Sequence, residues 1–230
     1  MKKFVPLLFA ASLISPTAFA ASGSAFNGFY AGCNVGASFM KSVPLSGSVS
    51  SGTYNANLTT KTGVAVTGTV GYDFGSVRVA EEVGYQQNSI GGTATTTTTG
   101  QQGSYQYPDS GGSTSSTQPV SGNISVVSVM TSVSKDFQVG GVSPYVTAGA
   151  GVANVSFNNV SDGTTIINQH NTKLAYQIGA GVSYSFTPSV KMDIHYDYSA
   201  VAGFVSPVNT TQNTIHISSH KINVGMGYRF

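Results

Sequence analysis

The sequence predicts an all-β chain: an eight-stranded antiparallel up-and-down transmembrane β-barrel with short periplasmic turns and long extracellular loops. Three observations carry this. Eight segments alternate apolar and polar residues with a period of two, which sends successive side chains to opposite faces of an extended strand. The connections between them alternate short and long, as in a barrel with turns on one side of a membrane and loops on the other. The final run from Ile222 to Phe230 alternates without a break and ends on an aromatic ring.

Residues 1–20 read as a secretory signal. Lys2 and Lys3 precede an apolar stretch from Phe4 to Ile14, and Ala18-Phe19-Ala20 precede Ala21, so cleavage is expected between Ala20 and Ala21. The remaining segment, 21–230, is expected to be a single barrel domain. Nowhere does the chain carry the 18 or so uninterrupted apolar residues of a spanning helix. Without Lys2 and Lys3, the 10 basic residues fall to eight against 8 acidic ones, a neutral balance that argues against nucleic acid as a partner. Cys33 is the single cysteine, which excludes an internal disulfide. Its place within a strand pattern favours a small outward side chain over a lipidation site.

The strand segments are 28–40, 63–74, 77–87, 124–137, 144–155, 173–186, 190–199 and 219–230. Gly75-Ser76, 138–143 and 187–189 are the short turns, with Gly or Pro as turn formers. The long connections are 41–62, 88–123, 156–172 and 200–218. The Thr-, Gly-, Ser- and Gln-rich stretch 88–123 has too few apolar residues for a core, which predicts a mobile low-complexity loop.

Alternation assigns the faces. Outward rows include Phe29, Val35 and Phe39, Val64 to Phe74, Leu174 to Phe186 and Val190 to Tyr198. Aromatic rings gather at both strand ends and aliphatic residues between them, the order expected where rings sit at the headgroup boundaries. Two charges break the outward pattern, Glu81 and Lys135. A basic side chain costs roughly 2–4 kcal/mol at the bilayer midplane and about 0–1 kcal/mol near the interface. Both residues are therefore expected near the turn end, directed toward the periplasmic headgroups.

The inward face collects Arg78, Glu82, Asp136, Lys191, Asp193, His195, Asp197, Lys221 and Arg229. An eight-stranded barrel is only wide enough for side chains to fill, so these are expected to form a buried ion-pair network and not a wide channel.

Asn27-Gly28-Phe29-Tyr30-Ala31-Gly32, the run Ser143 to Ala153, the run Ala175 to Val182 and the ending Gly225-Met226-Gly227-Tyr228-Arg229-Phe230 resemble the small outer-membrane β-barrel family. It includes opacity-type porin-like proteins, bacterial surface antigens and, more distantly, the OmpA transmembrane domain. The resemblance implies residence in the outer membrane of a Gram-negative bacterium, contact with outer-membrane lipid and lipopolysaccharide, and a role in adhesion, surface antigenicity, envelope integrity or small-pore formation. It also implies that Ile222, Val224, Met226, Tyr228 and Phe230 form the signal read by the barrel-assembly machinery. The third strand departs from the family pattern, with Ala80 inward and Glu81 outward.

Chemical motifs are weak. His216 and Ser218 share a face as in lipid A-deacylating barrels, but no Asp or Glu follows Asp197 to orient the histidine. Asp193, His195 and Asp197 share a face that could ligate a metal, yet interior charge pairing accounts for them. No cofactor, metal or catalytic site is expected, and the chain is not expected to be an enzyme. The leading expectation is a membrane anchor whose loops 41–62, 88–123, 156–172 and 200–218 bind a host-cell or envelope ligand. The alternative is a narrow porin for small solutes.

Overall fold

The computed structural model describes residues 28–49, 52–99, 113–137, 139, 141–161, 166–205 and 214–230. The proposed signal and its Ala20–Ala21 junction lie outside the described residues. Ten strands follow in order: β1 Gly28–Met40, β2 Val43–Val49, β3 Gly52–Thr60, β4 Gly63–Asp73, β5 Val77–Thr99, β6 Ser113–Asp136, β7 Val142–Ser161, β8 Ile166–Ser185, β9 Val190–Val205 and β10 Thr214–Arg229. Among the described residues no helix is long and apolar enough to cross a membrane, so the crossing falls to strands.

Eight of the ten strands close into a ring in the order β5-β4-β1-β10-β9-β8-β7-β6, completed by β5 with β6. Every neighbouring pair is antiparallel. The register fixes the barrel's dimensions. Gly63 is level with Ser38, then in turn with Lys221, Asp197, Gly179, Thr147, Ser134, Arg78 and finally Asp73, which lies ten residues further along β4. At about 3.3 Å per residue and about 4.8 Å between strands, a shear of ten over eight strands gives a tilt of roughly 41° and a backbone radius of roughly 8 Å.

The periplasmic turns are tight for local reasons. Gly75 has a φ of 95°, a conformation that favours glycine. Its N–H donates to Asp73 Oδ1 at 2.8 Å, and the Phe74 N–H donates to Val77 O at 2.8 Å. At the β8–β9 turn, Thr187 Oγ1 accepts from the backbone N–H groups of Ser189 and Val190. The chain end is tied in as well, since Phe230 N–H donates to Phe29 O at 3.0 Å.

The long connections differ from expectation. Most of 41–62 is strand: β2 and β3 pair from Val43 with Leu58 to Val49 with Gly52, and β3 lies along the upper part of β5. The stretch 88–123 is no loose loop where it is described. β5 runs on to Thr99 and β6 begins at Ser113, in continuous register up to the pair Thr99 and Ser113. Hydroxyl pairs Thr95 with Thr117 and Thr97 with Ser115, each at 3.2 Å, rung this ladder; threonine is well suited to extended backbone. β7 and β8 likewise extend to Ser161 and from Ile166, and β9 and β10 to Val205 and from Thr214.

These extensions escape a search for outward apolar rows because the phase of the alternation inverts. Within the membrane span Val129, Val133, Val146 and Ile178 point outward; above it the apolar residues Ile90, Ile124, Val126, Val155 and Phe157 point inward and are buried. Outside the bilayer the outer face meets water, so the apolar row moves to the interior.

Close wall-to-wall packing sets where glycine is required. A Cβ added at Gly151 would sit 2.1 Å from Val129 O and 2.7 Å from Met130 Cα, both backbone, whereas one added at the outward Gly68 meets nothing within 4 Å. Gly151→Ala is expected to lower stability by about 1–3 kcal/mol through overpacking and Gly68→Ala to leave it nearly unchanged, as measured by urea unfolding in lipid vesicles.

Candidate functional site

The lumen is built in three layers. At the periplasmic end lies the ionic layer. Arg78 on β5 binds Asp136 on β6 through two bonds, Nε to Oδ2 at 2.7 Å and Nη2 to Oδ1 at 3.0 Å, the forked geometry that makes Arg–carboxylate pairs strong. The same guanidinium lies 4.7 Å from the centre of the Tyr145 ring. Tyr145 donates its hydroxyl to Asp193 Oδ2 at 3.0 Å. His195 stands between two carboxylates, with Nδ1 2.5 Å from Asp193 Oδ2 and Nε2 3.1 Å from Asp197 Oδ2. Asn223 from β10 donates to Asp197 at 3.0 Å.

A second knot forms at Asp73, near the foot of β4. Arg229 Nη2 reaches its Oδ2 at 2.5 Å and Lys191 Nζ approaches the same oxygen at 3.7 Å. Sequence reasoning passed over Asp73, although its position out of phase with Val70 and Tyr72 already placed it on the inner wall. Among the described residues Glu82 takes no basic partner: Ser132 Oγ and Gln177 Nε2 donate to its two oxygens at 2.5 and 2.7 Å. Lys221 faces the lumen and makes no ion pair among the described residues. Of the expected network, then, Arg78 with Asp136 and His195 with Asp193 and Asp197 are direct pairs. Lys191 and Arg229 converge on Asp73, and Glu82 and Lys221 stand apart from one another's charge. Among the described residues no group of three His, Cys, Asp or Glu is placed to hold a metal ion.

Above the ions comes a neutral layer. Gln86 Nε2 donates to Asn88 Oδ1, Ser38 Oγ to the same oxygen, and Ser219 Oγ to Gln86 Oε1. Asn88 Nδ2 in turn donates to the backbone oxygens of Ser38 and Lys61. The third layer is apolar: Met40, Ile90, Ile124, Val126, Val155, Phe157, Val201 and Ile217 pack together in the extracellular part of the lumen. Ile124 and Val155 are 0% exposed. The ionic layer surrounds a cavity of about 100 Å³ bordered by Ser189 and Arg229 at its turn end, and a smaller space of about 30 Å³ lies beneath the apolar layer. The larger has room for a few water molecules.

The outer wall carries the aromatic rings at two heights. Phe29, Tyr72 and Phe74 cluster at the turn end, with ring centroids 5.0 and 4.7 Å apart. Tyr176, Tyr198 and His220 cluster at the loop end, where Tyr196 also bonds His220 Nδ1. Lys135 is outward and level with Val77 and Val146, close to the turns. Glu81 corrects the expectation made for both. It is outward and exposed, but it lies four residues above Val77 and four below Tyr85 on β5. It does not reach down to the headgroups; it accepts a hydrogen bond from Thr131 Oγ1 on β6 at 2.7 Å. His216 is exposed and Ser218 half-buried on β10, with no hydrogen bond between them.

The family model for "Outer membrane protein beta-barrel domain" matches residues 7–230. The chain belongs to this outer-membrane β-barrel family. Its home is therefore the outer membrane of a Gram-negative bacterium. Among solved structures, this outer-membrane barrel is similar to Neisserial surface protein A, at 20% identity and a TM-score of 0.53, over 89% of this chain and 99% of that one. Ail, the attachment invasion locus protein of Yersinia pestis, matches at 16% identity and a TM-score of 0.42, over 88% and 99% of the two chains. OprG from Pseudomonas aeruginosa matches at 14% and 0.40, over 90% and 96%. No curated protein matches the chain. At 20% identity, the likeness to Neisserial surface protein A shows the fold alone.

The Arg78–Asp136 pair is the best-formed ionic contact of the barrel, with side chains only 15% and 3% exposed. Arg78→Met strands a buried carboxylate and is expected to cost about 3–5 kcal/mol, while the paired change Arg78→Met with Asp136→Leu costs less than Arg78→Met alone. Urea unfolding of the three proteins in vesicles measures both.

Proposed function

We propose that the barrel is an anchor and that the sheet it raises above the membrane is the working surface, binding a host molecule or another component of the envelope. The observation that carries this reading is the apolar layer. A route for solutes would have to pass between Ile124, Val155, Phe157 and Ile217, which are in mutual packing and buried. An ion or polar solute gains nothing there to replace its hydration.

The raised part is, by contrast, rich in adaptable hydrogen-bonding groups. The upper strands of β5 and β6 present Thr95, Thr97, Ser115 and Thr117 at the ladder and no charged residue from Ile90 to Thr99 or from Ser113 to Val120. Such a surface suits a neutral, hydroxyl-rich or peptide ligand approached from outside. A catalytic role finds no support in His216 and Ser218, which lack a neighbouring carboxylate among the described residues. We further infer that the lipid-facing strand Ile222, Val224, Met226, Tyr228 and Phe230 is what the assembly machinery reads before β10 pairs with β1.

In planar bilayers the wild-type protein is expected to insert silently, without steady single-channel steps. Removing residues 94–118 and closing β5 to β6 with Asn-Gly is expected to abolish binding of the protein to cells or envelope fractions while the barrel still folds. Steady unitary conductance in the wild type, with binding unaffected by the deletion, would establish the narrow porin instead.

A further inference from the structure

Among the described residues, charge is sorted by height. With a rise of about 2.5 Å per residue along the barrel axis and a drop of about 3 Å per strand along each rung, every described acid stands at or below Asp197. Asp73, Glu82, Asp136, Asp193 and Asp197 face the lumen, and Glu81 is outward at mid-depth. Of the described basic residues, Arg78, Lys191, Lys221 and Arg229 line the lumen and Lys135 sits near the turns. The others, Lys41, Lys61 and Lys173, are all exposed at the loop end. They lie within roughly 3 Å of one another in height and roughly 12 Å above Asp197. None of them has an ion pair among the described residues.

Lys41 and Lys61 stand side by side. Lys41 follows β1 and Lys61 precedes β4, and the two strands are paired up to Ser38 with Gly63. Thr60 Oγ1 then donates to Met40 O at 2.5 Å, which holds the two segments together above that last rung. Lys41 N–H donates to Ser218 O at 3.0 Å and Lys61 N–H to Ser89 O at 2.8 Å, so both backbones are tied to neighbouring strands. The Lys61 stem lies beside Gly91, where an added Cβ would come within 3.5 Å of Lys61 Cε. The outward rows beneath carry no charge: Val64, Val66, Gly68 and Val70 on β4, and Phe39, Ala37 and Val35 on β1. Their upper ends, Phe39 and Val64, lie roughly 5–8 Å below the two lysines.

We propose that Lys41 and Lys61 bind the phosphate monoester headgroup of an outer-leaflet lipid, whose acyl chains lie along the outward row of β4 from Val64 to Val70. The charge matches: a phosphate monoester carries about −1.5 to −2 near neutral pH, and two ammonium groups with no carboxylate beside them supply the counter-charge. The height matches as well. Lysines set just beyond an apolar belt keep their stems at the hydrocarbon boundary and their charges among headgroups. A soluble anion would use the lysines alone, whereas a phosphorylated lipid uses the lysines and the exposed valines together. Lys173 on β8 is separated from Lys41 by β9 and β10 and has no second lysine beside it among the described residues. This site is independent of whatever the raised sheet binds.

The test uses the folded protein in octyl glucoside micelles, with Lys135→Gln as the parent so that the turn-end lysine does not contribute. Phosphatidic acid and phosphatidylcholine with the same acyl chains are supplied in equal amounts, and native mass spectrometry reads the lipid retained. The parent is expected to retain phosphatidic acid roughly tenfold or more over phosphatidylcholine. Adding Lys41→Gln with Lys61→Gln is expected to remove that preference, Lys41→Arg with Lys61→Arg to keep it, and Lys173→Gln to leave it unchanged. Equal retention of the two lipids by the parent, an unchanged preference in the double glutamine variant, or an equal loss in Lys173→Gln would each overturn the proposal. Release of the phosphatidic acid by excess inorganic phosphate would assign the lysines to a soluble anion and overturn it too.

Discussion

Backbone N–H and C=O groups placed in hydrocarbon must all be paired, because no water is there to take a lone donor or acceptor. A sheet meets that demand only by closing on itself, and here closure rests on two seams. β10 pairs with β1 from Ser219 with Met40 down to Arg229 with Tyr30, and β5 pairs with β6 along their whole lengths. The registers at these seams set the shear, the shear sets the tilt and radius, and the radius decides how much can fit inside. The inner glycines follow from that narrowness: at Gly151, and at Gly36 where an added Cβ would lie 2.1 Å from Ile222 O, the neighbouring strand's backbone occupies the space a side chain would need.

A lumen this narrow is filled from the wall inward, and the filling changes with height. Ionic groups occupy the lower part, where bidentate Arg78–Asp136 and the Asp193–His195–Asp197 chain satisfy one another. Amides and hydroxyls occupy the middle, and aliphatic side chains the top. The order makes physical sense from outside in. Within the bilayer the outer face takes the apolar residues and leaves polar ones for the interior; above it the water-facing wall takes the polar residues and the interior becomes an ordinary hydrophobic core. That upper core stiffens the strands that rise beyond the membrane. The membrane span and the raised strands are thus one continuous sheet with its apolar side switched at the membrane boundary.

The outer wall is apolar around its whole described circumference. β8, β9 and β10 carry Leu174, Ile178, Ala180, Ile194, Ile222 and Met226 toward lipid, and β4 to β7 carry Val64, Val66, Val70, Val83, Val133, Val146 and Ala148. The one outward acid of β5, Glu81, is partnered across the β5–β6 seam by the hydroxyl of Thr131.

Much of the fold was legible in the residues because lipid imposes a strict period. The outward rows, the short turns with Gly75 and Pro188, the two aromatic belts and the terminal strand ending at Phe230 all follow from alternation against a uniform apolar solvent, and the membership of Arg78, Asp136, Asp193, His195 and Asp197 in the inner face follows from the same alternation. What alternation cannot carry is distance around a closed ring. Which cation meets which carboxylate, as when Lys191 and Arg229 converge on Asp73 while Glu82 turns to Ser132 and Gln177, depends on the shear, which belongs to the closed sheet and to no single strand. The depth of Glu81 depends on it too. The height at which the apolar row crosses from outside to inside, hiding β2, β3 and the upper halves of β5 and β6 from a search for lipid-facing rows, depends on where the membrane ends relative to the assembled wall.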